Sequence, residues 1–221
     1  IGVEHEYLID TGIVATLGAG GRTVGLRADI DGLPMPDKSG LPYASEIEGR
    51  AHACGHDGHV AILLGTVWVL KQLEDKLPGT IKFIFQPAEE GGAGADRMIR
   101  NGLLDKHGIE TVFGLHGWPG QPVGTIAYRF GPAMAAVDNY RITVRGKGAH
   151  GALPHNGIDP IPIAARVVDG LQQIRSRMID PLDPIVITVG SIHGGSTVNV
   201  IPDEVELAGT MRSLKPDTRQ A

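Results

Sequence analysis

Apolar and polar positions alternate along this chain in two rhythms. Ile13-Val14-Ala15-Thr16-Leu17 and Thr23-Val24-Gly25-Leu26-Arg27-Ala28 predict two strands joined by the turn Gly18-Ala19-Gly20-Gly21. The second strand runs into Asp29-Ile30-Asp31-Gly32-Leu33-Pro34, a polar loop at a strand's carboxyl end, and a Pro/Gly-rich stretch follows to about Glu48. Val60 to Leu70 is a long, largely apolar run that predicts a buried helix, ending near Leu77-Pro78-Gly79. Thr80-Ile81-Lys82-Phe83-Ile84-Phe85-Gln86 predicts a strand that delivers Pro87-Ala88-Glu89-Glu90-Gly91-Gly92 to a loop. A short helix is expected from about Ala95 to Leu104, with Met98, Ile99 and Leu103 on one side. Glu110 to Leu115 reads as a strand that delivers His116, and Val123 to Tyr128 as one more.

Strand–helix–strand alternation of this kind predicts an α/β layer with a largely parallel sheet, whose reactive groups gather at the carboxyl ends of strands. Asp29, Glu89, Glu90 and His116 all fall at such ends. Around Gly131-Pro132 the pattern changes. Asn139 to Arg145 alternates like a half-exposed strand, and Ile161 to Ile179 reads as an amphipathic helix with Ile163, Val167, Leu171, Ile174 and Met178 on one stripe. Pro184–Val189 and Glu204–Thr210 predict further strands. The expected organisation is an α/β domain over residues 1–130 and a small α+β domain over 131–221.

Composition narrows the function. A net charge of −5 without any basic block argues against nucleic acid or an anionic membrane surface as partner. The apolar run ending at Leu70 is too short to span a bilayer. A single cysteine excludes an internal disulfide and fits a reducing cytosol. The chain opens without an initiator methionine and stops shortly after a strand, so it reads as a fragment.

The densest chemistry lies in Ala51-His52-Ala53-Cys54-Gly55-His56-Asp57-Gly58-His59, just before the apolar helix. Imidazole and thiolate are good ligands for borderline divalent ions, and Cys54 and His56 point to one side of an extended segment. The plainer alternative is a turn whose side chains merely cap the helix. Glu89 and Glu90 read either as a solvated acidic turn or as a divided pair, one carboxylate binding metal and the other taking a proton from activated water. Cys54, His56, one of these glutamates and His116 would give four ligands. A second ion would need more, and His193 is the only later candidate after residue 155. His150 and His155 read as surface-loop histidines or as donors to a developing oxyanion, and Asn199 as a turn residue or a polar substrate contact.

These motifs, in this order, resemble those of the M20-type metallopeptidases. Arg27 to Pro34, His52 to His59, Gln86 to Gly92, Leu115-His116, Ala149-His150 with Pro154-His155, and Asn199-Val200-Ile201-Pro202-Asp203 all match, over nearly the whole chain. The branch it looks most like splits N-acyl amino acids: hippurate hydrolases, acetyl-diaminopimelate deacetylases and auxin-conjugate hydrolases. The resemblance implies an α/β metallopeptidase catalytic domain with an inserted small α+β lid, the lid also forming a homodimer. It implies a two-ion centre of manganese, or of zinc, cobalt or nickel, on Cys54, His56, Glu90 and His116. Glu89 matches the general base, Asp29 the supporting aspartate, and His150 the lid histidine that steadies the tetrahedral intermediate. Asn199 and His155 are the expected substrate contacts. The implied reaction is metal-dependent hydrolysis of an N-acyl amino acid amide bond. The alternatives are a dipeptidase or carboxypeptidase of the same family, a binding protein that keeps the fold, and a closed structural zinc module. The family carries a further histidine ligand towards its C-terminal end, past the last residue of this sequence.

Overall fold

The computed structural model describes residues 1–221, which divide into two compact units, Ile1–Val123 and Gly124–Ala221. In the first unit, β1 (Glu4–Ile9) and β2 (Gly12–Leu17) form an antiparallel hairpin. They are followed by β3 (Thr23–Asp29), α1 (His56–Lys71), β4 (Thr80–Gln86), α2 (Gly94–Arg100) and β5 (Thr111–Gly114). The sheet order is β1-β2-β4-β3-β5. Although β2 and β3 are joined by a tight glycine turn, they do not pair, because β4 inserts between them. The sheet is therefore mixed: β2 runs opposite to the other four strands and pairs antiparallel with β1 and β4, while β4, β3 and β5 pair in parallel. Val123–Tyr128 forms no strand, and Val123 and Ile126 are fully exposed. β1, Glu-His-Glu-Tyr-Leu-Ile, is a strand whose sequence carries little apolar signal.

β4 explains why this sheet is covered on both faces. Successive strand side chains point to opposite faces. Phe83 and Phe85 join Ala15, Leu17, Ala28, Leu63 and Val67 beneath α1. Ile84, between them, joins Val14, Met98 and Leu103 on the α2 side. Only one stripe of α1 is buried, namely His56, His59, Leu63 and Val67. Ile62, Leu64, Trp68 and Val69 face outward, Trp68 with 61% of its surface exposed, so the helix is not buried all round. A helix lying on a sheet presents a single stripe to it. Here the stripe that packs the core continues at its N-terminal end into two histidines.

The second unit packs α3 (Pro160–Arg177) on an antiparallel three-stranded sheet ordered β6 (Ala136–Arg145), β10 (Glu204–Ser213), β8 (Ile185–Gly194). Ala164, Val205 and Leu207 form its buried centre. The Asp159 carboxylate caps α3 by accepting the Ile161 N–H at 3.0 Å, and Pro160 fills the first helical position. A two-residue ladder joins β7 (Ala149–His150) to β9 (Val200–Ile201), and α4 (Pro216–Gln220) ends the chain.

Candidate metal centre

The three parallel strands bring their carboxyl ends to one edge. Their register pairs Asp29 with Gln86 and Arg27 with Gly114, so the residues that follow β3, β4 and β5 leave the sheet side by side. Arg27 ties this edge together: its Nε and Nη2 donate to Gln86 Oε1 at 2.8 and 2.6 Å, and its Nη1 donates to Asp29 Oδ2 at 2.9 Å. Asp29 is only 1% exposed. Burial pushes its carboxyl up, but the His59 hydrogen bond and the Arg27 charge outweigh burial and hold it below its ordinary value.

The turn into α1 sets the Cys/His block. Gly55 takes the left-handed conformation at φ 84°, and no side chain caps the helix. The cysteine and histidines are therefore not helix caps; glycine makes the turn and leaves them free for other partners. The loop after β4 is held just as tightly. Ala88 and Ala93 both adopt positive φ, at 55° and 50°. A Cβ at Gly94 would lie 1.6 Å from the Pro87 carbonyl oxygen, so only glycine closes this loop. Strained backbone of this sort persists where the surrounding structure over-determines it, and here it presents Glu89 and Glu90.

His56 gives the clearest chemical signal. It is 1% exposed, and its Nδ1 lies 3.0 Å from the Asp31 carbonyl oxygen and 3.3 Å from Asp31 Oδ1. A carbonyl oxygen only accepts, so Nδ1 carries a proton, and in the neutral ring Nε2 is left with a bare lone pair. That Nε2 is buried without any hydrogen-bond partner. Two oxygens that it meets, Asp29 Oδ2 at 3.6 Å and Glu90 Oε1 at 3.8 Å, are themselves acceptors. Lone pairs facing one another out of water are unfavourable unless a cation lies among them. His116 repeats the arrangement: Nδ1 donates to the Gly117 carbonyl at 2.7 Å, which in the neutral ring leaves Nε2 bare, 3.6 Å from Cys54 Sγ.

Candidate ligand atoms fall within 4.8 Å of one another in three groups: Cys54, His56 and His116; His56, Glu89 and Glu90; and Asp29, His56 and His59. The first two carry thiolate, imidazole and carboxylate donors, a set suited to borderline divalent ions. The third is taken up internally. His59 Nδ1 lies 2.6 Å from Asp29 Oδ1, and its Nε2 accepts the Gly117 N–H at 2.8 Å. Cys54 is pushed up to about 11, by burial first and then by the hydrogen bond and charge of Glu90. The thiol is thus protonated in the metal-free protein, and a cation that binds it displaces a proton.

Asp31, which its residue type alone does not single out, packs into the same cluster. Its Oδ2 accepts the Glu90 N–H at 3.0 Å, which links the loops after β3 and β4, and its Oδ1 is buried without a hydrogen bond, 3.3 Å from His56 Nδ1. Burial raises its pKa, but backbone N–H groups of Glu90 and Glu89 outweigh burial and lower it. The available signal was its spacing, two residues beyond Asp29 in a loop leaving a strand.

The remaining candidates belong to the second unit. His150 is exposed on β7, and its Nδ1 accepts the Ala152 N–H at 3.1 Å, so in the neutral ring the proton is on Nε2. The β7–β9 ladder pairs His150 with Val200, and Gly151 N–H donates to the Asn199 carbonyl at 2.8 Å, which places Asn199 beside His150. His155 lies on the exposed 154–156 turn, and His193 lies on β8 opposite Glu206.

A cluster of thiol, imidazoles and carboxylates gathered around the buried His56, on loops leaving parallel strands, makes this edge of the α/β sheet a candidate metal centre. Residues 25–218 match peptidase family M20/M25/M40, and the chain belongs to that family. It is 51% identical over 213 residues to an N-acetyl-L-cysteine deacetylase of Bacillus subtilis, covering 96% of this chain and 51% of the relative. It is 44% identical over 223 residues to thermostable carboxypeptidase 2 of Saccharolobus solfataricus, covering 99% of this chain and 56% of the relative. Among solved structures, a Bacillus subtilis protein described as a dinuclear metal-binding peptidase of the M20 family superposes with a TM-score of 0.81 at 38% identity, over 100% of this chain and 56% of that one. The chain thus spans about half the length of the curated relatives it matches.

Proposed function

We propose that the protein hydrolyses the amide bond of an N-acyl amino acid at a centre of two divalent ions. The observation that carries this reading is the His56 Nε2 lone pair, buried among carboxylate oxygens with no donor to meet it. Cys54, His56, Glu90 and His116 would hold the metal, with Asp29 and Asp31 supporting them. When bound, the ions supply a Lewis acid that polarises the carbonyl and acidifies water to a pKa of roughly 7. Glu89 stands beside Glu90 on the exposed side of the strained loop, where its carboxylate takes a proton from the attacking water and returns it to the leaving nitrogen. His150 presents an Nε2–H that suits donation to the oxyanion. Asn199 and His155 are assigned to the substrate. The small-molecule substrate class rests on the deacetylase relative. Manganese is the ion the family resemblance implies, and zinc, cobalt and nickel also suit this donor set. The first unit serves as the catalytic domain and the second as a lid and homodimer surface, in a cytosolic enzyme. No helix is long and apolar enough to cross a membrane.

Glu89→Gln in the full-length protein tests the mechanism: metal content stays at the wild-type level and kcat falls by about 100-fold or more. Near-normal turnover would remove Glu89 from this role. The carboxypeptidase relative supports a second reading, hydrolysis of peptides. Parallel assays on acetyl-, benzoyl- and aminoacyl-amino acids separate the two.

A further inference from the structure

We propose that His59 is not a ligand but a positioning residue, a strut that holds the backbone after His116 against Asp29 and so fixes the Cys54–His116 side of the metal centre. The inference rests on the reading of His116 as a ligand. Its chemistry follows from heavy atoms alone. A backbone N–H can only donate, so the 2.8 Å contact from Gly117 N makes His59 Nε2 an acceptor. The ring's proton is then on Nδ1, where it donates to Asp29 Oδ1 at 2.6 Å. Both nitrogens are spent, and no lone pair is left to bind metal.

The strut is anchored at both ends. Asp29 cannot swing away, because Arg27 holds its other oxygen and is itself clamped to Gln86. His59 lies on the buried stripe of α1, with Leu63 and Val67 continuing it into the core. At the far end, Gly117 also supplies the carbonyl that receives His116 Nδ1–H, at 2.7 Å. One residue therefore takes its position from His59 and gives His116 its orientation. The His59 and His116 ring centroids are 4.8 Å apart. Without the strut, Gly117 would be free to turn, and the His116 lone pair would lose its aim at the space beside Cys54. Outer partners that orient a ligand in this way typically account for about 10–100-fold in metal affinity.

Two substitutions separate the two hydrogen bonds. His59→Gln places an amide oxygen near the Nε2 position and keeps an acceptor for Gly117 N–H. His59→Asn keeps a donor for Asp29 near the Nδ1 position but cannot reach Gly117. Cobalt(II) titration of the metal-free full-length protein reads both the affinity and the thiolate-to-cobalt absorption of Cys54, and thermal melts of the metal-free forms report folding separately. His59→Asn is expected to weaken cobalt binding by about 10–100-fold, while His59→Gln recovers most of it, at similar melting temperatures. A general packing role would instead lower both variants together and follow the melting temperature. That result, or wild-type cobalt affinity in His59→Asn, overturns the strut. His116→Ala is the control for the underlying reading. If it keeps wild-type cobalt affinity and absorption, His116 is no ligand and the strut fails with it. If it loses them while His59→Asn does not, only the strut fails.

Discussion

The two units each carry a histidine-rich region, and the regions differ in how much they declare by themselves. In Ile1–Val123 two histidines are locked: His56 and His59 are buried on the core-facing stripe of α1, and their nitrogens are either bonded or pointed at acceptors. In Gly124–Ala221, His150 and His155 are exposed, one on a two-residue ladder and the other on a single turn. A bare lone pair shut away among oxygens signals a missing cation, because leaving such groups unpaired in a dry interior costs about 1–3 kcal/mol each. An exposed histidine bears no such cost and reveals only its tautomer. The metal assignment therefore stands on the first unit alone, whereas the roles of His150, His155 and Asn199 depend on substrate.

The sharpest way to break this contrast is to delete one histidine from each region. His56→Ala should weaken metal binding by more than about 100-fold, beyond the usual effect of an outer partner, and activity should fall with it. His150→Ala should leave metal stoichiometry and affinity unchanged while kcat falls by about 100- to 1,000-fold, the range for loss of one oxyanion donor. Metal analysis alongside steady-state kinetics reads both. If His150→Ala also stripped the metal, the division of labour between the regions would be wrong.

Proton release provides the next test. With Cys54 held at about 11 in the metal-free protein, its proton must leave when metal binds. The sign follows directly: metal affinity rises with pH, by about tenfold per unit from this one group, in the range above pH 8 where ordinary imidazoles no longer titrate. Calorimetry in buffers of different ionisation enthalpy counts the protons released. Cys54→Ala should lower that count by one and flatten the slope accordingly, whereas His150→Ala should change neither.

The same contrast explains which features were legible in the sequence. Cys54, His56, Glu90 and His116 stand out because their residue types are dense in chemistry and lie just after strands or before a helix. The structure brings Cys54 together with His56 and His116, and His56 with Glu90. Asp31 and the bonds of His59 could not be read in this way. Nothing in a residue's type shows that its oxygen will meet the Glu90 N–H, or that its ring will reach a backbone amide 58 positions away. Strand neighbours were similarly hidden. Periodicity identifies β2 and β3 as strands but does not show that β4 will insert between them. The apolar run of α1 suggested full burial, because composition does not reveal which stripe meets the sheet. Val123–Tyr128 has the alternation of a strand but forms none.

The smallest effect compares the two main helices at their first residues. α3 begins conventionally, with the Asp159 carboxylate on the Ile161 N–H. α1 begins at a left-handed glycine, which has no side chain with which to cap the helix. Asp159→Ala should therefore cost about 1 kcal/mol of stability, the usual value of a lost cap, and leave metal affinity untouched. Gly55→Ala forces a Cβ into the left-handed region, which costs a similar 1–2 kcal/mol or so. This turn also sets the directions of Cys54 and His56, so metal affinity should fall as well. Urea unfolding of the metal-free variants and metal titration of the folded ones separate the two effects. Equal stability losses with unequal metal losses would show that α1 gave up its cap for the site. Equal metal losses would mean that the turn at Gly55 is ordinary helix architecture and that the ligands are aimed by something else.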